Sequence, residues 1–389
     1  MRESTHTKHI RWIAAILCFL NFSSCEKLLL DPDEIQSPPP QVYASKLATI
    51  LDSLRYALDL PALAGAIVAD TGIIEAQAVG CRRYGGARDV TVNDKFHLGS
   101  CGKAFTAAMI GSLVDEGLVS WTTTLPTVFP EFANTMRSEY RNVTVRDLLS
   151  HSAGFIRDPE LTLTTNTPRE QRMETVAWAV QQQPVTERGR YLYSNLGYII
   201  AGAIAERIAN RTYEELVMER IVRPLGLSTA GSGAMGTPGL LDQPLQHSAN
   251  HAPIMPSEDA HLHSIYNPAG MLHMSVRDWG RYVQWVLASE AGHQNLLRPE
   301  TARALTAPVV STGQGGFYAL GWGGANYEEW AGGKSLGHSG SNRFNYASAA
   351  LAPAKRFGVI VMTNEGCVGM DWLLGPAVGR LINFHLNRE

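Results

Sequence analysis

Ser100 and Lys103 stand three residues apart at the start of a helix-like pattern, in the run Ser100-Cys101-Gly102-Lys103. From Ala104 onward apolar residues recur at helical spacing, Ala104 with Ala108 and Phe105 with Met109, then Leu113. This places Ser100 at a helix N-terminus with Lys103 about one turn along the same side, so the two side chains can meet. A serine hydroxyl is a poor nucleophile until a base takes its proton. A lysine can serve only where burial or a neighbouring cation depresses its pKa. The apolar flanks supply such a setting, and covalent serine hydrolysis is the leading chemistry.

The spacing is a weak signal alone, because Ser24-Cys25-Glu26-Lys27 has the same form. Two further signals follow in chain order. Tyr193-Ser194-Asn195 leads into the helical run Leu196 to Ala209, and Gly337-His338-Ser339-Gly340 precedes strand-like sequence. Each has a decoy, in Tyr140-Arg141-Asn142 and His97-Leu98-Gly99. The ordered triple, with each member at a junction between a loop and a regular element, is hard to reach by chance.

Further segments accompany the triple: Phe96 to Ser100, Asp147 to Gly154, Arg223 to Leu227, Ala269-Gly270-Met271 with Ser275 and Asp278, and Val359 to Asn364. On these residues the chain resembles the serine β-lactamase-related family, the group of class C β-lactamases, D-alanyl-D-alanine carboxypeptidases and family VIII esterases. The resemblance covers Val42 to the C-terminus. It implies Ser100 as nucleophile, Lys103 and Tyr193 as the proton-transfer pair, and Asn195 as a polar arm for the substrate's acyl or amide group. His338, with Ser339 and Gly340, takes the place of the family's lysine-threonine-glycine or its histidine-containing variants, and the backbone N–H groups of Ser100 and Ser341 would form an oxyanion hole. It implies no cofactor and no metal. Substrates would be esters, D-amino-acid peptides or amides, and β-lactams, as small molecules or peptides. A histidine at position 338 is largely neutral at pH 7 and gains charge as pH falls toward 6. An esterase or peptidase-like hydrolase with weak β-lactamase activity is therefore favoured over a true class C-like β-lactamase, and preference for carboxylate substrates should rise toward pH 6. A catalytically silent cell-envelope ligand-binding protein is the alternative from another class.

Two other catalytic readings compete. Ser150-His151-Ser152-Ala153-Gly154 approaches the G-x-S-x-G elbow, but Ser150 replaces the first glycine and Val145 to Leu149 looks like a helix start rather than a buried strand. His247, His251, His261, His263 and His273 could suggest a metal, yet their spacing is irregular. Exposed loop histidines are the expectation there. Cys101 is expected to be a small buried packing residue with a raised pKa.

The elements that must position these residues come from both ends of the chain. Val42 to Leu60 is amphipathic and stops at Pro61; Leu63 to Ala69 and Ile73 to Val79 read as an antiparallel hairpin about Asp70-Thr71-Gly72. Asn345 to Leu351 and Phe357 to Met362 mirror them, followed by an apolar helical run ending near Leu386. The expected fold is α+β, β-lactamase/transpeptidase-like: an antiparallel sheet built from both chain ends and flanked by helices. A helical subdomain, approximately residues 121–266, is inserted, and the site should lie in the cleft between.

With 389 residues, 45% hydrophobic and 18% charged, the chain can bury a large core. Residues 1–24 read as a signal peptide, with Arg2, Lys8 and Arg11 before the short apolar run Trp12 to Leu20. Ser23 and Ser24 before Cys25 resemble a lipoprotein processing site, with Cys25 lipidated and residues 25–41 as an acidic, proline-rich tether. Residues 42–389 are the hydrolase domain. Losing Arg2, Lys8, Arg11 and Glu3 lowers the net charge from −3 to −5, and no basic stripe remains for nucleic acid. The membrane would be met only through the lipid anchor. Oligomeric state is not encoded in any motif.

Overall fold

The apolar strand sequences at the two chain ends pair with each other in the computed structural model, which describes residues 39–41, 43–257, 262–293, 296–366 and 374–387. The N-terminal hairpin is β1 (Ala62–Ala69) and β2 (Gly72–Gly80). Five short strands follow: β3 (Lys95–His97), β4 (Gly231–Ser232), β5 (Gln246–His247), β6 (Pro253–Ile254) and β7 (Leu272–Ser275). The C-terminal part supplies β8 (Val310–Gly313), β9 (Gly316–Tyr318), β10 (Gly323–Ala325), β11 (Leu336–Ser341), β12 (Tyr346–Ala352) and β13 (Phe357–Thr363). The main sheet has eight strands in the order β2-β1-β13-β12-β11-β10-β9-β8, and its pairings are antiparallel. Its centre joins the two chain ends, with Ile67 opposite Val359 and Ala66 opposite Ile360.

Period-two alternation sends the strand residues into two cores. Leu63, Ile67, Val359 and Val361 pack with Leu47 and Leu51 of the helix Lys46–Ala57 and Leu381 of the helix Gly375–Leu386. Ala64, Ala66, Val68, Ile360 and Met362 face the other way, toward Phe105, Trp279 and Val283. β1 and β13 are thus buried on both faces, which is why they read as continuous apolar runs. Truncating such a side chain, for example Ile67→Ala, costs about 2–5 kcal/mol.

The helices beside the site lie mostly between β3 and β4. Lys103–Asp115 is buried almost all round, and Asn195–Ala209 packs against it. Ser194 caps the second helix: its Oγ accepts from the Gly197 N–H at 3.0 Å and donates to the Ile156 carbonyl at 2.6 Å. Buried Arg172, from the helix Pro168–Ala179, pairs with Glu206 at 2.6 Å and Glu214 at 3.1 Å and locks this layer together. Removing one partner would leave a buried charge unpaired, which makes the lock strict.

Residues 1–24, Cys25, Val42, His261 and Cys367 lie outside the described residues. Among the described residues no helix is long and apolar enough to cross a membrane.

Candidate active site

Ser100 stands at the helix N-terminus, as its spacing suggested. It lies in a 3-10 turn, Gly99–Gly102, and the α-helix begins at Lys103. The tighter turn still leaves Ser100 Oγ 3.1 Å from Lys103 Nζ. Gly99 sits at φ +50, and a side chain there would overlap the Ser341 backbone nitrogen. A side chain at Gly340 would overlap the Ser100 nitrogen and the Leu98 carbonyl. The absence of both side chains lets the turn lie directly on the end of β11 and sets the Ser100 and Ser341 backbones side by side.

Lys103 is fully buried. Its Nζ lies 2.7 Å from Asn195 Oδ1 and 2.7 Å from the Ala269 carbonyl. Loss of hydration pushes its pKa well below the usual lysine range, and the Arg157 charge adds to that effect. An uncharged amine has two N–H groups and one lone pair. With the amine uncharged, the two carbonyl oxygens can take its N–H groups, which leaves the lone pair for the Ser100 hydroxyl.

Tyr193 enters just before the Ser194 cap. Burial raises its hydroxyl pKa, and a hydrogen bond with Ser100 partly opposes this. The Lys103 Nζ lies 4.9 Å from the Tyr193 ring centre. Tyr193 therefore remains a protonated phenol, with Ser100 touching both it and Lys103.

Asn195 is the first residue of its helix, and its amide is already occupied. Oδ1 accepts from Lys103 while Nδ2 donates to Asp158 Oδ1 at 2.8 Å. The side chain expected to reach for substrate thus also orients the lysine.

His338 points from β11 into the same cleft. Nδ1–H donates to the Ser339 carbonyl at 2.6 Å, and Nε2 accepts from the Tyr318 hydroxyl at 2.8 Å. Although its edge remains partly open to the cleft, desolvation, helped by the Lys103 charge, pushes its pKa down to about 4. The expected gain of charge toward pH 6 is therefore corrected: this imidazole stays neutral there.

Sequence reasoning missed several participants. Arg157, Asp158, Tyr318 and Arg343 reach the site from separate loops and strands with no spacing pattern to announce them, and the Ala269 carbonyl comes from a segment to which the sequence assigns no role there. His151 belongs to a segment read only as a structural signature. Its ring lies 4.2 Å from that of Tyr193 and 4.5 Å from that of Tyr318, and its Nδ1 accepts from the Ser194 N–H at 3.1 Å. Desolvation lowers its pKa well below the usual value.

The competing readings find no site. Val145–Leu149 is a helix, and buried Ser152 bonds Ser150 Oγ at 2.8 Å. Of the histidines expected to be exposed, His263 is, while His247 and His273 are buried and His251 is half-buried. His247 bonds the Asn364 carbonyl, His273 the Gly233 carbonyl, and His251 bridges Glu365 and Asp59. Among the described residues no group of three or more potential ligands gathers around a metal position. Cys101 is buried with a raised pKa, and its Sγ lies 3.3 Å from the His338 carbonyl.

Two cavities meet at Ser100. One, of about 570 Å³, is lined by Tyr193, Tyr318, His338 and the β10 and β11 backbone; the other, of about 510 Å³, by Asp158, Asn195, Tyr266 and Arg343. Arg157 and Ser341 border both.

A buried lysine on a serine, set between two substrate-sized cavities beside an antiparallel sheet, agrees with what family comparison shows. Residues 47–370 match the Beta-lactamase family model, and the chain belongs to that family. It is a serine hydrolase with the β-lactamase/transpeptidase-like fold. The chain is 27% identical over 334 residues to penicillin-binding protein 4 of Amycolatopsis lactamdurans, covering 81% of this chain and 84% of that protein. It is 24% identical over 297 residues to an unguisins hydrolase of Aspergillus campestris, covering 71% of this chain and 53% of the longer relative. A β-lactamase/D-alanine carboxypeptidase structure from Pseudomonas syringae superposes with a TM-score of 0.70 at 19% identity, covering 88% of this chain and 99% of that one.

Proposed function

We propose that this hydrolase works through an acyl-enzyme on Ser100, acting on esters or on amides of D-amino-acid peptides, with weak activity on β-lactams. The observation that carries this reading is the fully buried Lys103, whose Nζ lies 3.1 Å from Ser100 Oγ and 2.7 Å from each of two carbonyl oxygens, in a setting that pushes its pKa well below the usual lysine range. Ser100 attacks the carbonyl carbon as its proton passes to Lys103 Nζ. The Ser100 and Ser341 N–H groups receive the developing oxyanion, each such donor being worth about 10²–10³ in rate. The tetrahedral intermediate collapses as the Tyr193 phenol gives its proton to the leaving oxygen or nitrogen, and Lys103 reprotonates Tyr193. Water then attacks the ester through the same groups in reverse order.

The substrate preference rests on His338. A β-lactam or a peptide C-terminus brings a carboxylate on the leaving side, where a fixed cation would be favourable; a neutral imidazole offers hydrogen bonding alone. The similar proteins, a penicillin-binding protein, an unguisins hydrolase and a β-lactamase/D-alanine carboxypeptidase, are consistent with amide or ester carbonyls.

A fluorophosphonate probe followed by mass spectrometry tests the nucleophile. An adduct on Ser100, lost together with turnover in Ser100→Ala, is expected; an adduct mapped to Ser152 overturns the assignment. A panel of short acyl esters, D-alanyl peptides and a chromogenic cephalosporin tests the class. Cephalosporin turnover faster than ester turnover at pH 7.5 would make the protein a true β-lactamase. We place the protein in the cell envelope, exported through residues 1–24 and anchored by a lipidated Cys25, because one acyl chain alone holds only marginally and a diacylated cysteine holds firmly. Cys25→Ser should then move the protein from the membrane to the soluble fraction; a wild type already soluble after processing sinks the anchor.

A further inference from the structure

We propose that the cavity beside Asn195 is an anion-recognising acyl subsite, in which Arg343, with Arg157 at its rim, binds a carboxylate carried by the acyl half of the substrate. The inference rests on the acyl-transfer reading above and names the substrate class of that same site.

Proton chemistry gives the two cavities their directions. Tyr193, the proposed donor to the leaving group, lines the cavity of about 570 Å³ and not the cavity of about 510 Å³, so the leaving group belongs in the former. The acyl half, which stays on Ser100 until water releases it, then occupies the latter.

That second cavity is charged. It is lined by two arginines, Arg157 and Arg343, and one acidic residue, Asp158. Asp158 is already engaged, accepting from Asn195 Nδ2 at 2.8 Å and lying 3.7 Å from Arg157 Nε. Arg343 makes no ion pair among the described residues. A cavity with two cations and one committed anion is complementary to a negatively charged group. Arginine, with its planar fork of donors, suits a carboxylate in particular.

The backbone supports a binding role. Arg343 sits at φ +83, a left-handed conformation that a non-glycine residue adopts at a cost, and such strain gathers at ligand sites. The turn is held from beneath. Arg343 N–H donates to Ser341 Oγ at 3.0 Å, and buried Asn342 Oδ1 accepts from the Asn345 N–H at 2.9 Å. The residue after the proposed oxyanion donor is thus fixed, and the next one presents a guanidinium at the cavity.

Two p-nitrophenyl esters with one leaving group isolate the acyl half: the hemiglutarate, ending in a carboxylate, and the valerate, its uncharged counterpart. The wild type should favour the hemiglutarate in kcat/KM by about tenfold, as expected for one hydrogen-bonded charge pair. Arg343→Gln should lower kcat/KM for the hemiglutarate about tenfold more than for the valerate, and Arg343→Lys should keep part of the preference. Rising ionic strength should erode the ratio, because the guanidinium is exposed. A wild-type ratio near one, or a ratio unchanged in Arg343→Gln, overturns the subsite while leaving Ser100 hydrolysis intact. Absence of both ester turnover and a fluorophosphonate adduct on Ser100 overturns the acyl-transfer reading itself, and the subsite with it.

Discussion

The two cavities that meet at Ser100 are similar in size, about 570 and 510 Å³, and opposite in chemistry. The first is walled by strands β9 to β11 and by the rings of Tyr191, Tyr193, Tyr318 and His338. Neighbours packed there exclude water, so its tyrosines and its histidine are held neutral: the tyrosine hydroxyls upward in pKa, the imidazole downward. The second is bordered by the loop residues Arg157, Asp158 and Arg343, whose side chains remain wet. Arg157 and Asp158 are 69% and 42% exposed, and charge is cheap to keep there. Depth of desolvation thus divides the work. Neutral groups that trade protons line one side of the nucleophile, Asp158 and Arg343 line the other, and Arg157 borders both.

Breaking the proton-handling side should have the largest effect. Lys103→Ala and Tyr193→Phe should each lower the acylation rate by about 10²–10⁴, the range of positioned acid–base groups. The double variant should lose far less than the product, because the two act as one relay through Ser100. The lysine must be uncharged to accept a proton, so kcat/KM should rise with pH through its depressed pKa and then level off. Single-turnover rates would show this; wild-type rates in Tyr193→Phe would remove the phenol from the relay.

Asn195 joins the two sides, so Asn195→Ala sharpens the comparison. It takes one carbonyl from Lys103 and one amide from Asp158, and a loss of about 10–100-fold in kcat is expected from unpairing such groups. Its acid limb should also move, because Lys103 loses a partner. A lowered kcat with an unmoved pH profile would mean that Asn195 serves substrate alone.

The smallest effect concerns His338. With its pKa near 4, the wild-type preference between neutral esters and substrates with a leaving-side carboxylate should stay flat from pH 6 to 8. His338→Lys should shift that preference toward the carboxylate by less than about tenfold, since the new ammonium is itself repelled by any charge on Lys103. A wild-type preference that climbs as pH falls toward 6 would show that the imidazole titrates in the ordinary range and that the cleft is wetter than its packing implies.

Local spacing made part of this molecule legible. Ser100, Lys103, Tyr193, Asn195 and His338 could be picked out because each stands at a junction between a loop and a regular element, where short motifs survive in linear order. The β1–β2 hairpin and β12–β13 pair were visible for a similar reason, since period-two burial and turn residues are properties of neighbours in sequence. Pairing between β1 and β13, nearly 300 positions away, was expected from the matching apolar runs, and its register came only with the folded sheet.

Protonation and partnership were beyond reach of the chain read in order. That His338 is neutral near pH 6, that Asn195 is already spoken for, and that His247 and His273 are buried against backbone carbonyls all follow from which distant segments exclude water around them. Arg157, Asp158 and Arg343 carry no motif; they share a cavity because helices and loops far apart in sequence converge on Ser100. Residue identity is written one position at a time. Desolvation and charge proximity are sums over everything nearby in space, and the fold alone supplies the neighbours in that sum.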